Sequence, residues 1–120
     1  MQILVVDDYE PFARSLRHLL LDEHQVTIAT SRTSAIALLG EAGAFDVVLL
    51  DLNLAGESGL DVYEHLRTRA PDVASRVVFM TGGFESGQVA DALSQLDVPR
   101  LEKPFREGEL REALQRCRAA

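Results

Sequence analysis

Cysteine is nearly absent from this chain. The single one among 120 residues, Cys117, leaves no partner for an internal disulfide, so the fold rests on burial and suits a reducing compartment. Its place near the end of a helical pattern gives it a structural or incidental role. Basic residues are also short: 12 Lys and Arg stand against 19 Asp and Glu, a net charge of −7. Direct nucleic-acid binding needs a basic face to displace counterions, so any DNA contact falls to another domain. No apolar stretch approaches the roughly 20 residues that cross a bilayer. The start, Met1-Gln2-Ile3-Leu4, lacks the charged opening of a signal peptide, which predicts a cytoplasmic protein with no membrane partner. Linkers, repeats and low-complexity segments are missing too. With 47% hydrophobic residues, one domain over residues 1–120 has enough apolar material for a single core.

What the chain does have is a regular alternation. Four short apolar runs end in residues suited to phosphate chemistry: Ile3 to Val6 in Asp7-Asp8, Val47 to Leu50 in Asp51, Val77 to Met80 in Thr81, and Arg100 to Glu102 in Lys103. Runs of this length and composition predict strands buried on both faces. Between them, Phe12, Leu16, Leu19 and Leu20 recur at helical spacing after Pro11. Gln25 to Ala29 is a short strand candidate. Ala35, Ile36, Leu38 and Leu39 predict a second helix closed by Gly40 to Gly43, and Leu60, Tyr63 and Leu66 a third, stopped before Pro71. Val89, Leu93 and Leu96 suggest a fourth, after Gly82-Gly83. Leu110, Ala113 and Leu114 suggest a last one, after a short strand over Pro99 to Glu102. Five strand-helix units in strict alternation predict a single doubly wound α/β domain with helices on both faces of a parallel sheet. The carboxyl ends of its strands open on one edge, where ligands bind.

At that edge Asp7, Asp8, Asp51, Thr81 and Lys103 are expected to meet. Adjacent carboxylates leaving a strand point to different sides, so Asp7 and Asp8 reach one cation only if a turn begins there. Converging carboxylates raise one another's pKa, a tension that a divalent ion such as magnesium relieves. Asp51 is the candidate nucleophile, able to form an acyl phosphate once a cation neutralises the incoming oxygens. Lys103 can offset the carboxylates and hold a phosphoryl oxygen, and the Thr81 hydroxyl can donate to another. Each alone has a plainer reading, as a solvated turn, a helix-flanking cap, a surface lysine or a strand-end threonine. Their weight lies in the set.

Val5-Val6-Asp7-Asp8, Asp51-Leu52-Asn53-Leu54 with Gly59 eight residues on, Thr81-Gly82-Gly83 and Lys103-Pro104-Phe105 together resemble the receiver domain of two-component response regulators, over essentially the whole chain. The resemblance implies a flavodoxin-like five-stranded sheet of order 2-1-3-4-5 and phosphorylation of Asp51 by a histidine kinase. It implies Mg2+, with Mn2+ able to substitute, on Asp8, Asp51 and the Asn53 main-chain carbonyl, with Asp7 helping through water. Thr81 and Lys103 would contact the phosphoryl group, and a downstream protein or attached domain would read the state. Such a protein catalyses its own phosphorylation and dephosphorylation without multiple turnover. Two positions depart from the family pattern: Ala55 stands where a proline often follows the phosphoacceptor loop, and Arg100 where many receivers carry an inward-turning aromatic. The stretches Arg100 to Phe105 and Phe79 to Phe84 look more like receivers attached to hybrid sensor kinases than those of transcription factors.

Other classes fit less well. A haloacid-type phosphatase usually places a second Asp two residues after its nucleophile, where this chain has Asn53. A flavin-binding module needs a phosphate-cradling loop after the first strand, where Asp7-Asp8-Tyr9-Glu10-Pro11 would repel one. A receiver kept only as a protein-interaction module is opposed by the presence of all five site residues.

Overall fold

The computed structural model describes residues 1–42, 45–54, 56–82 and 87–119. Five parallel strands run as β1 (Gln2–Val6), β2 (Gln25–Ala29), β3 (Val47–Asp51), β4 (Val77–Thr81) and β5 (Arg100–Glu102). They lie side by side as β2-β1-β3-β4-β5, the order expected. Among the described residues five helices of eight or more residues alternate with them: α1 (Glu10–Leu20), α2 (Arg32–Ala42), α3 (Gly59–Arg69), α4 (Gly87–Ser94) and α5 (Glu107–Ala119).

Successive side chains on a strand face opposite ways, so each central strand feeds two cores. Leu4, Val6, Val48, Leu50 and Phe79 pack with Ala35, Leu39, Val62, Leu66 and Leu93 beneath α2, α3 and α4. Tyr63 meets Phe79 edge to face at 5.2 Å. On the other face Ile3, Val5, Leu49, Val78 and Met80 pack with Ala13, Leu16, Leu20, Leu110, Leu114 and Cys117 beneath α1 and α5. This double burial is why β1, β3 and β4 read as unbroken apolar runs.

Several local expectations need correcting. Helix α2 continues through Gly40 to Ala42, because the burial of Ala35 and Leu39 outweighs the roughly 1 kcal/mol that a helical glycine costs. Gly43 lies outside the described residues. Leu19 sits at the rim of α1, 39% exposed, while Leu16 and Leu20 are buried. After α3 ends at Ala70, Pro71 opens a further helical turn, Pro71–Ala74. An unanticipated two-residue antiparallel ladder joins Asn53–Leu54 to Glu57–Ser58 across Gly56, whose φ of 88° suits glycine. The Lys103–Pro104 peptide is cis. Among the described residues no helix is long and apolar enough to cross a membrane.

Candidate active site

The chain reverses direction at Asp7. Its N–H still donates to the Ala29 carbonyl (3.0 Å), one residue beyond the strand, while its Oδ1 accepts the Tyr9 N–H (2.9 Å) and so turns the chain into α1. The Asp7 carboxylate is thereby fully buried and Asp8 is left exposed. At the end of β3, Asp51 is also buried, and its Oδ1 accepts the Asn53 N–H at 3.0 Å. Thr81 ends β4, buried, and its carbonyl accepts the Lys103 N–H at 2.7 Å, which brings the lysine to the same edge. The Lys103 ammonium then donates to Asp7 Oδ2 at 2.6 Å and to Asp51 Oδ2 at 3.1 Å. Asp7 is thus in direct ionic contact with the lysine.

Carboxylate oxygens of Asp7, Asp8 and Asp51 all lie within 4.8 Å of one another. Three carboxylates against one ammonium leave an excess of negative charge among hard oxygen donors, with exposed Asp8 keeping one side open to water. That donor set fits a divalent cation that retains part of its hydration shell. Burial pushes the Asp51 carboxyl above its usual range; the Asn53 N–H and Lys103 pull it back, and the Asp7 charge pushes it further up. Burial alone would lower the Lys103 ammonium, but its hydrogen bonds and charge contacts with Asp7 and Asp51 win and raise it.

The stability effects have opposite signs. A carboxyl that is harder to ionise when folded destabilises the fold once ionised, a penalty absent below its unfolded value near 3.8 and complete above its folded one. In chelator, the stability advantage of Asp51→Asn over wild type should therefore open as pH rises from about 4. Lys103 acts in reverse: its contribution is complete below 10.5 and is lost as pH rises through its higher folded value. Urea melts of both proteins from pH 3.5 to 8 check the first expectation, and a pH-independent difference would refute it.

Two residues have site roles that their letters did not disclose. Gly59 was noted only for its spacing from Asp51. Its N–H donates to the Leu52 carbonyl at 3.0 Å, and a Cβ there would lie 2.1 Å from the Asp51 carbonyl oxygen. Only glycine lets α3, capped by the Ser58 hydroxyl on the Leu60 N–H, start so close to β3. Phe12, read as a core residue of α1, places its ring 4.5 Å from the Lys103 ammonium. Ala55, Gly83 and Phe84 lie outside the described residues. Arg100 takes the Leu93 carbonyl in α4 as its partner at 3.1 Å, rather than a neighbouring carboxylate.

These features define a class first: a doubly wound α/β domain with an acidic, lysine-bridged cluster at the carboxyl edge of its sheet. Residues 3–115 match the response regulator receiver domain family, and the chain belongs to it. It is the receiver domain type of two-component response regulators. It is 38% identical to the alginate biosynthesis transcriptional regulatory protein AlgB of Pseudomonas aeruginosa, over 93% of this chain and 24% of that protein. It is 35% identical to the transcriptional regulatory protein YkoG of Bacillus subtilis, over 98% of this chain and 50% of that one. The chain thus spans about a quarter to a half of the length of these relatives. They are transcriptional regulators, a different setting from the hybrid kinases that the stretches around Lys103 and Thr81 suggest. A receiver domain protein from Clostridium thermocellum superimposes with a TM-score of 0.84 at 26% identity, covering 97% of this chain and 92% of that one. TrrA of Thermotoga maritima, solved in complex with Mg2+ and BeF, shares the fold with a TM-score of 0.80 at 24% identity, covering 97% of each chain.

Proposed function

We propose that Asp51 accepts a phosphoryl group from a histidine kinase and that this domain passes the change to a downstream protein or an attached output domain. The observation that carries the reading is the Lys103 ammonium shared by Asp7 and Asp51 at 2.6 and 3.1 Å, beside the exposed Asp8. An oxygen of Asp51 attacks phosphorus, the bond to the donor breaks, and the acyl phosphate keeps the charge at the edge where Lys103 can donate to it. The Thr81 hydroxyl donates to a second phosphoryl oxygen. Asp8, Asp51 and the Asn53 main-chain carbonyl would hold Mg2+ or Mn2+, with Asp7 assisting through water. The ion supplies charge neutralisation for the incoming phosphoryl oxygens. The working compartment is the cytoplasm, and contact with nucleic acid is left to other domains.

Incubation with acetyl phosphate and Mg2+ tests the reading: one label per chain, slowly lost, supports it, whereas continuous turnover indicates a phosphatase and no label refutes it. Asp8→Asn should weaken Mg2+ binding by at least about tenfold, the loss of one charged ligand being worth more than about 1.4 kcal/mol. In chelator it should be slightly more stable than wild type, because a neutral amide relieves like-charge crowding. Calorimetric Mg2+ titrations and thermal melts measure both, and unchanged affinity removes Asp8 from the ligand set.

Arg100 gives the output step a distinctive form. An aromatic side chain at this position could turn inward to couple the site to the surface. Burying an unpaired guanidinium instead costs several kcal/mol, more than the roughly 1–3 kcal/mol of typical site-to-site coupling. The Leu93 carbonyl also holds Arg100 against α4. Phosphorylation should therefore change the α4 and β5 face only weakly and produce no stable homodimer through it. Light scattering with and without beryllium fluoride checks this, and a mimic-dependent dimer lost on mutating α4 would contradict it.

A further inference from the structure

We propose that Phe12 is a positioning residue for phosphoryl transfer, its ring face holding the Lys103 ammonium in place over the Asp7 and Asp51 carboxylates. The inference rests on the receiver chemistry proposed above. The ammonium lies 4.5 Å from the centroid of the Phe12 ring, inside the roughly 6 Å range over which a cation is drawn to an aromatic face. Two carboxylate oxygens hold the same nitrogen, at 2.6 and 3.1 Å. An ammonium has three donors; two reach the Asp7 and Asp51 oxygens, and the ring adds attraction beside them.

The ring is fixed from two sides. Phe12 stands in the first turn of α1, its N–H on the Tyr9 carbonyl at 3.1 Å, and the Tyr9 N–H is the group that holds Asp7 Oδ1. The Phe105 ring, two residues beyond Lys103, meets it edge to face at 5.8 Å with an 80° angle between planes. The cation and the ring that braces its support therefore come from one loop, and the support comes from the helix that follows the Asp7-Asp8 turn.

Chemistry favours a ring over an anion at this position. The cluster already carries more negative charge than one lysine balances, and another carboxylate would repel the incoming phosphoryl group. An aromatic face attracts the ammonium without a net charge and without an oxygen that could compete as nucleophile or metal ligand. Leucine would fill much of the same space but offer no such attraction.

The test compares second-order rate constants for labelling by acetyl phosphate at saturating Mg2+ in wild type, Phe12→Leu, Phe12→Tyr, and proteins carrying mono-, di- and trifluorinated phenylalanine at position 12. Fluorination keeps the ring's shape while draining its face of negative charge. Phe12→Leu should be slower by about three- to thirtyfold, and Phe12→Tyr close to wild type. The fluorinated series should slow stepwise, with unchanged melting temperatures and Mg2+ affinity. A flat fluorinated series beside a slow Phe12→Leu would show that the ring acts by volume alone, and a flat response throughout would show no role; either overturns the assignment. Wild type that takes no label would refute the receiver chemistry itself, and the assignment with it.

Discussion

Asp51→Asn should abolish covalent labelling by acetyl phosphate, with Mg2+ or Mn2+ present, while making the metal-free protein more stable by about 0.5–2 kcal/mol, the usual scale for relieving a strained functional position. Both results follow from one environment. Among the described residues, Asp7, Asp8 and Asp51 form the carboxylate group at the edge, but their situations differ. Asp7 touches the lysine yet is sealed from solvent, and Asp8 is open to solvent while the ammonium donates to Asp7 and Asp51. Asp51 touches the lysine and keeps 6% exposure, between the sealed Asp7 and the open Asp8. Its burial beside Asp7 makes its charge costly, and an amide of the same shape removes that cost while still accepting from the Asn53 N–H. Intact-mass analysis after labelling and chemical denaturation in chelator measure the two effects. Full labelling of Asp51→Asn would move the phosphoacceptor elsewhere, and a less stable mutant would mean that Lys103 needs the Asp51 charge more than burial penalises it.

Gly59→Ala should cost about 3 kcal/mol or more and slow labelling at least about tenfold, although it adds one methyl group. The new Cβ would lie 2.1 Å from the Asp51 carbonyl oxygen and 3.0 Å from both the Asp51 carbonyl carbon and the Leu52 Cα. All three obstacles are backbone, so no rotamer change clears them. Either α3 backs away, opening the core around Val62 and Leu66, or the end of β3 bends and takes Asp51 with it. Gly56→Ala is the control. A Cβ there meets nothing within 4 Å, and only the positive φ opposes it, for a cost of about 1–2 kcal/mol. Equal melts for the two variants would show that the close approach at Gly59 relaxes without consequence.

Legibility followed burial. β1, β3 and β4 were readable because both faces of each are covered, which turns the sequence into a continuous apolar run with an audible end at Asp7, Asp51 or Thr81. The cluster was readable because parallel strands deliver their ends to one edge. What escaped was set by contacts that have no periodicity. Phe12 packs against the core, as its helical spacing predicts, but a phenylalanine letter does not disclose that the same ring also faces an ammonium. The partition between buried Asp7 and exposed Asp8 depends on a single turn hydrogen bond from Tyr9. Arg100 bonds to a main-chain carbonyl, which every residue possesses, so its partner could not be picked from the sequence. The ladder of Asn53–Leu54 with Glu57–Ser58 is two residues deep, too short for any alternation to register.

The position of β5 has a consequence for how the protein comes into being. Chains emerge from the ribosome N-terminus first. The strands β2, β1 and β3 are neighbours in the sheet and all precede residue 52, whereas the lysine that bridges Asp7 and Asp51 follows a three-residue edge strand near the other end of the chain. The Asp7–Asp51 pair therefore has its counterion only when β5 is in place at the edge of the sheet, which ties completion of the charged cluster to completion of the fold.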